Sequence, residues 1–124
     1  MNSFRLDRKS GRVGGTTVVF DSNNNALYFS KEIIPFFDEK RSMQTEACPI
    51  FHHVGVYAYR PEILSKYHTW KESNLETLEG LEQLRFLENS CAIKCVLVDS
   101  KGRTFWELNN PEDVMKIEKA IRKI

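Results

Sequence analysis

Residues 16–30, TTVVFDSNNNALYFS, contain two short β-branched and aromatic runs on either side of an Asn-rich turn. Valine, threonine and aromatic side chains favour strands, and asparagine tolerates the positive φ that tight turns require. The stretch therefore predicts a β-hairpin with strands at about 16–20 and 26–30. Pro35 ends this unit.

Strand and helix patterns alternate through the rest of the chain. Alternating side chains predict a strand over residues 51–60, and a continuous aliphatic run predicts a buried strand over residues 93–98. Three helices are predicted: a short one from Pro61 to about Tyr67, a long one over 74–89 that follows a capping-box pair, Ser73 and Glu76, and a last one that starts at Pro111. This mixture indicates an α/β fold with a mixed sheet and flanking helices.

Length and composition describe a small domain. The 124 residues are 41% hydrophobic and 28% charged, which is enough to bury a core. Residues 1–15 are polar, basic and glycine-containing, so we expect a flexible leader before a single domain over residues 16–124. A net charge of +1 argues against nucleic-acid binding through bulk basic charge, and no apolar run is long enough to span a bilayer. Three cysteines without a Cys-x-x-Cys pair indicate a reduced protein, which we expect in the cytoplasm.

Glu82 interrupts the apolar face of the long predicted helix. Successive residues turn by about 100°, which puts this carboxylate between Leu75, Leu78 and Phe86. A buried charge without a partner is too costly, so the side chain needs an ion pair, a hydrogen bond or a polar pocket. An ion pair with a core-facing arginine and a ligand-binding role both remain open from these residues alone.

Polar side chains also gather at two other places. His53, Gly55 and Tyr57 share one face of the predicted strand, where they could line a pocket or be covered by another element. Glu107 and Asn109 lie between the end of a strand and the start of the last helix, where α/β folds often bind ligands. These residues indicate an α/β domain with a polar pocket and do not name its ligand.

Four blocks of sequence, in matching order, resemble one known family. They are ALYFSK with the following Ile34-Pro35 (26–35), HVGVYAYR (53–60), LEQLR (81–85) and NPED (110–113). The family is 3-deoxy-manno-octulosonate cytidylyltransferase, or CMP-Kdo synthetase, and the resemblance runs from about Val18 to the C-terminus. It implies a nucleotide-diphospho-sugar-transferase-like α/β fold. It covers only the second half of such an enzyme, so we expect the nucleotide-binding half to be absent.

The resemblance implies a reaction and a metal. In the family, the anomeric hydroxyl of Kdo attacks the α-phosphate of CTP, pyrophosphate leaves, and Mg²⁺ offsets the phosphate charge. The product, CMP-Kdo, is a lipopolysaccharide precursor. Asn109 stands where the family has a magnesium-binding aspartate, and an amide oxygen is a poorer ligand for this cation. Glu107 could supply the missing charge, so these two residues form a doubtful metal site.

The resemblance also assigns residues to the sugar acid. By motif match, His53, Tyr57, Glu82 and Gln83 line the sugar pocket. Lys31 stands where the family commonly has an arginine that meets the sugar carboxylate, and lysine keeps the charge without the bidentate fork. We expect the chain to supply the sugar-acid pocket and the contacts of a homodimer, without activity on its own. The alternative is a non-catalytic remnant that dimerises or binds a partner.

Overall fold

The described residues fall into two compact units. The computed structural model describes residues 15–36, 50–99 and 111–121. Residues 16–95 form one unit, and the described residues 96–99 and 111–121 belong with Gly15 to the other. Apart from Gly15, the predicted leader lies outside the described residues. None of the described helices has the length and apolar character needed to cross a membrane.

A three-stranded antiparallel sheet lies at the centre of the larger unit. Its strands are β1 (Thr17–Phe20), β2 (Ala26–Ser30) and β3 (Phe51–His52), in the spatial order β2-β1-β3. β1 pairs with β2 so that Val18 is opposite Phe29, which confirms the predicted hairpin. β3 pairs with the other edge of β1. With the helices, this sheet makes the fold mixed α/β, as predicted.

The hairpin turn is stabilised by its own polar side chains. Asp21 accepts hydrogen bonds at one carboxylate oxygen from the backbone amides of Asn23 and Asn25, each at 2.8 Å. Between them, Asn24 has a φ of 59°, in the left-handed region that asparagine tolerates. The Asn-rich sequence therefore forms the turn for the reason expected.

The described part of the chain contains four helices after the sheet strands. They are α1 (Pro61–Tyr67), α2 (Asn74–Glu79), α3 (Gln83–Glu88) and α4 (Pro111–Ile121). The predicted helix starts at Pro61 and Pro111 are confirmed. Proline is favoured in the first turn of a helix, because its missing N–H costs nothing there.

The single long helix predicted over residues 74–89 is wrong. Gly80 has a φ of 63° and a ψ of 39°, a left-handed conformation that ends α2, and α3 begins only at Gln83. Because the chain changes direction there, one helical wheel cannot describe both helices. Glu82 is exposed instead of lying inside the apolar face, whereas Gln83 is only 2% exposed and Leu84 is fully buried.

The strand predicted over residues 51–60 is much shorter than expected. Only Phe51 and His52 pair with β1, and residues 53–60 have no regular secondary structure. The amide of Val56 donates to the carbonyl of Val54 at 2.7 Å, a tight turn around Gly55 that ends the extended conformation.

The buried strand predicted over residues 93–98 is also wrong. Lys94 forms a single bridge with Asn25 in the hairpin turn. Beyond this contact, Val96, Leu97 and Val98 are 63–80% exposed. The aliphatic run does not form a strand because, within the described residues, its backbone pairs only with the short hairpin turn.

The hydrophobic core joins the hairpin to the junction between α2 and α3. Its buried members are Val18, Ala26, Phe29, Leu81 and Leu84. Leu81 and Leu84 flank the start of α3 and pack on β2 residues. The core therefore fixes the position of residues 80–83 relative to the sheet, and Phe29 also contacts the ring of His53.

Candidate functional site

His53 and Tyr57 form a hydrogen-bonded pair. The Tyr57 hydroxyl oxygen lies 2.7 Å from Nε2 of His53, and the ring centroids are 5.4 Å apart. The His53 amide donates to the Thr16 carbonyl at 2.8 Å, and its imidazole packs edge-on against Phe29 with centroids 5.3 Å apart. A Cβ at Gly55 would come within 3.9 Å of the His53 ring. In an extended strand residues 53 and 57 would lie about 13 Å apart, so the His53–Tyr57 hydrogen bond shows that the predicted strand face is not formed and that a bent chain brings the two side chains together.

A series of aromatic rings links this pair to α3. The Tyr57 ring stacks on Tyr59 with a centroid distance of 5.7 Å and an interplanar angle of 24°. Tyr59 stacks in turn on Phe86 at 5.3 Å and 29°. We call His53, Tyr57, Tyr59 and Phe86 the aromatic ladder. Phe86 is only 4% exposed, so the ladder ends in a buried side chain.

The electrostatics of the ladder keep Tyr57 protonated. Burial raises the pKa of the Tyr57 phenol far above its ordinary value, and Tyr59 and Glu82 raise it further. Burial and the Glu82 carboxylate also raise the pKa of Tyr59. A protonated phenol can donate to Nε2 of a neutral imidazole, whose ring proton is then on Nδ1. Glu82 therefore acts electrostatically on the same group of side chains.

The buried carboxylate of this region is Glu76. Its two oxygens accept hydrogen bonds from Nε and a terminal nitrogen of Arg85 at 2.6 and 2.5 Å, and the side chain is only 8% exposed. The hydrogen bond from Arg85 lowers the pKa of Glu76. The guanidinium also lies 4.4 Å from the centroid of the Tyr67 ring. An ion pair with an arginine was one possibility for Glu82. The arginine, Arg85, forms that ion pair with Glu76.

Glu76 also has the capping role predicted from its spacing. Its carboxylate accepts a hydrogen bond from the backbone amide of Ser73 at 3.1 Å, at the start of α2. The capping pattern identified this residue correctly, but its ion pair with Arg85 depends on the turn at Gly80 that brings α3 back towards α2.

Glu79 is a second acceptor that sequence reasoning missed. Its carboxylate accepts from the Tyr28 hydroxyl at 3.2 Å, the Ser30 hydroxyl at 2.8 Å and the Lys31 amide at 3.0 Å. Burial by itself would raise the pKa of Glu79, but these donors outweigh it and the net shift is downward. An acid in the last turn of a helix is disfavoured by the helix dipole, and this misplaced charge is the signal that could have identified it.

Lys31 lies against the turn between α2 and α3. Its Nζ is 2.8 Å from the position that a Cβ would occupy at Gly80, and the Glu79 carboxylate holds its backbone amide. The structure thus brings Lys31 next to the residues that precede Glu82. The buried Gln83 follows at the start of α3.

The predicted metal ligands cannot be placed. Glu107 and Asn109 lie outside the described residues. Within the described ranges, no group of three or more His, Cys, Asp or Glu side chains could hold a metal ion. The described residues therefore do not provide a magnesium site by themselves.

Comparison with known proteins identifies relatives along most of this chain. The family model described as cytidylyltransferase matches residues 12–98. A 3-deoxy-manno-octulosonate cytidylyltransferase of Maricaulis maris is 41% identical over 94% of this chain and 44% of its own length. An 8-amino-3,8-dideoxy-manno-octulosonate cytidylyltransferase of a Shewanella strain is 38% identical over 84% of this chain and 39% of its own length.

A solved structure has a similar fold. It is a CMP:2-keto-3-deoxy-manno-octonic acid synthetase complexed with CTP, with a TM-score of 0.72 and 28% identity. The match covers 94% of this chain and 45% of that protein, so the chain spans less than half the length of these relatives. The resemblance expected from the four sequence blocks is confirmed, and the chain belongs to the cytidylyltransferase family.

Proposed function

We propose that this chain supplies the sugar-acid-binding part of a CMP-Kdo-synthetase-type cytidylyltransferase. Such an enzyme joins CTP and Kdo to form CMP-Kdo and pyrophosphate, in the synthesis of lipopolysaccharide precursors. The observation that carries the proposal is the His53–Tyr57 pair, 2.7 Å apart, with the exposed Glu82 carboxylate acting on the same phenol. The names of the relatives support a Kdo-like substrate.

The chemistry of these side chains suits a polyhydroxylated acid. A phenol and an imidazole can each donate or accept, and a carboxylate such as that of Glu82 accepts only, so together they match the mixed donors and acceptors of sugar hydroxyls. Lys31 offers a positive charge to the sugar carboxylate, as a compact ammonium. The buried Gln83 adds an amide beside Glu82. These five residues are the proposed sugar-acid site.

Turnover requires more than the sugar site. The chain spans 44% of the Maricaulis relative, and we propose that CTP binds only when a nucleotide-binding half is present. In the family Mg²⁺ balances phosphate charge, and Glu107 and Asn109 are the residues that would hold it here. We also propose a cytoplasmic homodimer. The exposed aliphatic side chains at 96–98 support self-association, and sedimentation as a monomer at high concentration would contradict it.

Isothermal titration with Kdo tests the sugar site directly. We expect saturable heat with the wild-type chain, and an affinity lower by about 10-fold or more in Glu82→Gln, because a hydrogen bond to a charged group is lost. Glu62→Gln is the matched control, since Glu62 is exposed in the first turn of α1. Equal affinities in both variants would contradict the role of Glu82.

A second assay separates the proposal from its alternative. Purified chain mixed with CTP, Kdo and Mg²⁺ should bind Kdo but release no pyrophosphate. Steady, sugar-dependent pyrophosphate release would show that the chain is active alone. Absence of heat with millimolar Kdo would instead favour a non-catalytic remnant that dimerises or binds a partner.

A further inference from the structure

We propose that Tyr59 is a positioning residue, which holds the Tyr57 phenol against His53 by stacking between Tyr57 and Phe86. The consequence for sugar-acid affinity rests on the proposed function. The consequence for the His53–Tyr57 hydrogen bond does not, because that bond joins two side chains of this chain.

The backbone gives this part of the chain little support. Residues 53–60 have no regular secondary structure. Among the described residues, the last backbone hydrogen bond on the sheet side runs from the His53 amide to Thr16, which precedes β1. Within the described part of the chain, the backbone hydrogen bonds of residues 54–59 are limited to the local one between Val56 and Val54. Side chains must therefore fix where the Tyr57 ring lies.

The rings provide fixed points on both sides of Tyr57. On one side, His53 packs against Phe29, which is 2% exposed in the core. On the other side, Tyr59 stacks on the buried Phe86. Phe86 is itself held by α1, because the Tyr67 ring stacks on it at 4.8 Å and 14°. Tyr59 is the only ring of the ladder that joins Tyr57 to this second fixed point.

The contribution of Tyr59 comes from its ring face. Stacked pairs contribute through the flat π surface as well as through buried area, and a branched aliphatic side chain lacks that surface. Without Tyr59, the Tyr57 ring samples other rotamers, and the fraction of molecules with the paired geometry falls. Ligand affinity falls by the same fraction, when the ligand needs that geometry.

Two substitutions at the same position separate the ring from the hydroxyl. In Tyr59→Phe, which keeps the ring face, the affinity for Kdo should stay within about twofold of wild type. In Tyr59→Leu it should fall by about 10-fold, from the loss of two stacked pairs. If Tyr59→Leu does not fold, Tyr59→Met replaces it as the non-aromatic variant.

The independent readout is the tautomer of His53, measured by ¹⁵N NMR of the imidazole without ligand. Wild type and Tyr59→Phe should show the form protonated on Nδ1, with Nε2 accepting from Tyr57. Tyr57→Phe gives the signal of the imidazole without the Tyr57 hydrogen bond, and Tyr59→Leu should move towards it. Phe20→Leu is the matched control, because the Phe20 ring packs on Phe51, with centroids 4.7 Å apart, and neither ring belongs to the ladder.

The outcomes distinguish the inference from the proposed function. A wild-type His53 signal in Tyr59→Leu, or an equal change in Phe20→Leu, would overturn the positioning role. A shifted signal in Tyr59→Leu, together with no Kdo binding by any form of the chain, would support the positioning role and reject the proposed sugar site.

Discussion

Replacing Gly80 with alanine tests the break between α2 and α3. Gly80 has a φ of 63°, and a left-handed conformation costs an alanine about 1–2 kcal/mol. The new Cβ would also come within 2.8 Å of Lys31 Nζ, but the end of a flexible side chain can move away at little cost. We therefore expect Gly80→Ala to destabilise the chain by about 1–2 kcal/mol, which lowers Tm by about 3–10 °C.

The sign of the change is decisive. If residues 74–89 formed one continuous helix, Gly80→Ala would remove a poor helix former and stabilise the chain by about 1 kcal/mol. Urea unfolding followed by circular dichroism gives the difference. Gly55→Ala is the matched control, because a Cβ there makes only an ordinary 3.9 Å contact with His53, and we expect a change within about 0.5 kcal/mol. A stabilised Gly80→Ala variant would refute the two-helix structure.

Three further predictions concern polar and apolar burial. The pKa of Glu76 is lower in the folded state than its ordinary value of 4.5, so its contribution to folding stability is complete above pH 4.5 and is lost as the pH falls through the lower folded value. The thermal stability of Glu76→Gln should lack this loss at acid pH. A pH profile identical to that of wild type would contradict the prediction. Glu79→Gln should destabilise by about 1–2 kcal/mol in denaturant titration, because its three donors lose a charged acceptor, and a neutral effect would count against that role. Leu84→Ala should lower the free energy of unfolding by about 2–5 kcal/mol, because Leu84 is fully buried. Leu78 is 74% exposed, so Leu78→Ala should change the free energy of unfolding little. Similar losses in the two variants would contradict the assignment of Leu84 to the core.

Local chemistry was sufficient to predict the hairpin and two helix starts. Asn24 adopts the positive φ that the Asn-rich turn requires, and α1 and α4 begin at Pro61 and Pro111. These features depend on residues within a few positions of one another. They do not require a partner from elsewhere in the chain.

Features that depend on distant partners were predicted poorly. The strand expected over 51–60 ends at His52 because β1 pairs with it only briefly, and the run at 93–98 reaches only the hairpin turn. Gly80 followed by Leu81 is typical of a helix end, yet the apolar spacing on both sides imitates one helix. Treating residues 74–89 as one helix placed Glu82 in the apolar face. It also left the ion pair of Glu76 and the hydrogen bonds of Glu79 unpredicted.

For the candidate site, the residues themselves predicted only part of the arrangement. Alternation placed His53 and Tyr57 on one face of a strand, whereas they form a hydrogen bond because residues 53–57 are not extended. Glu82 was singled out because the helical wheel placed it in the apolar face. It is exposed instead, and its charge raises the pKa of Tyr57. Lys31 came from family resemblance alone, since nothing local indicates that it packs over Gly80. Its role in binding stays a prediction.

The most direct test of the proposed sugar-acid site is a two-dimensional NMR titration of the labelled chain with Kdo. We predict saturable shifts centred on His53, Tyr57 and Glu82, extending to Lys31, and much smaller shifts with a neutral sugar of similar size. Unchanged signals at these positions in millimolar Kdo, or shifts confined to α4, would contradict the proposed site.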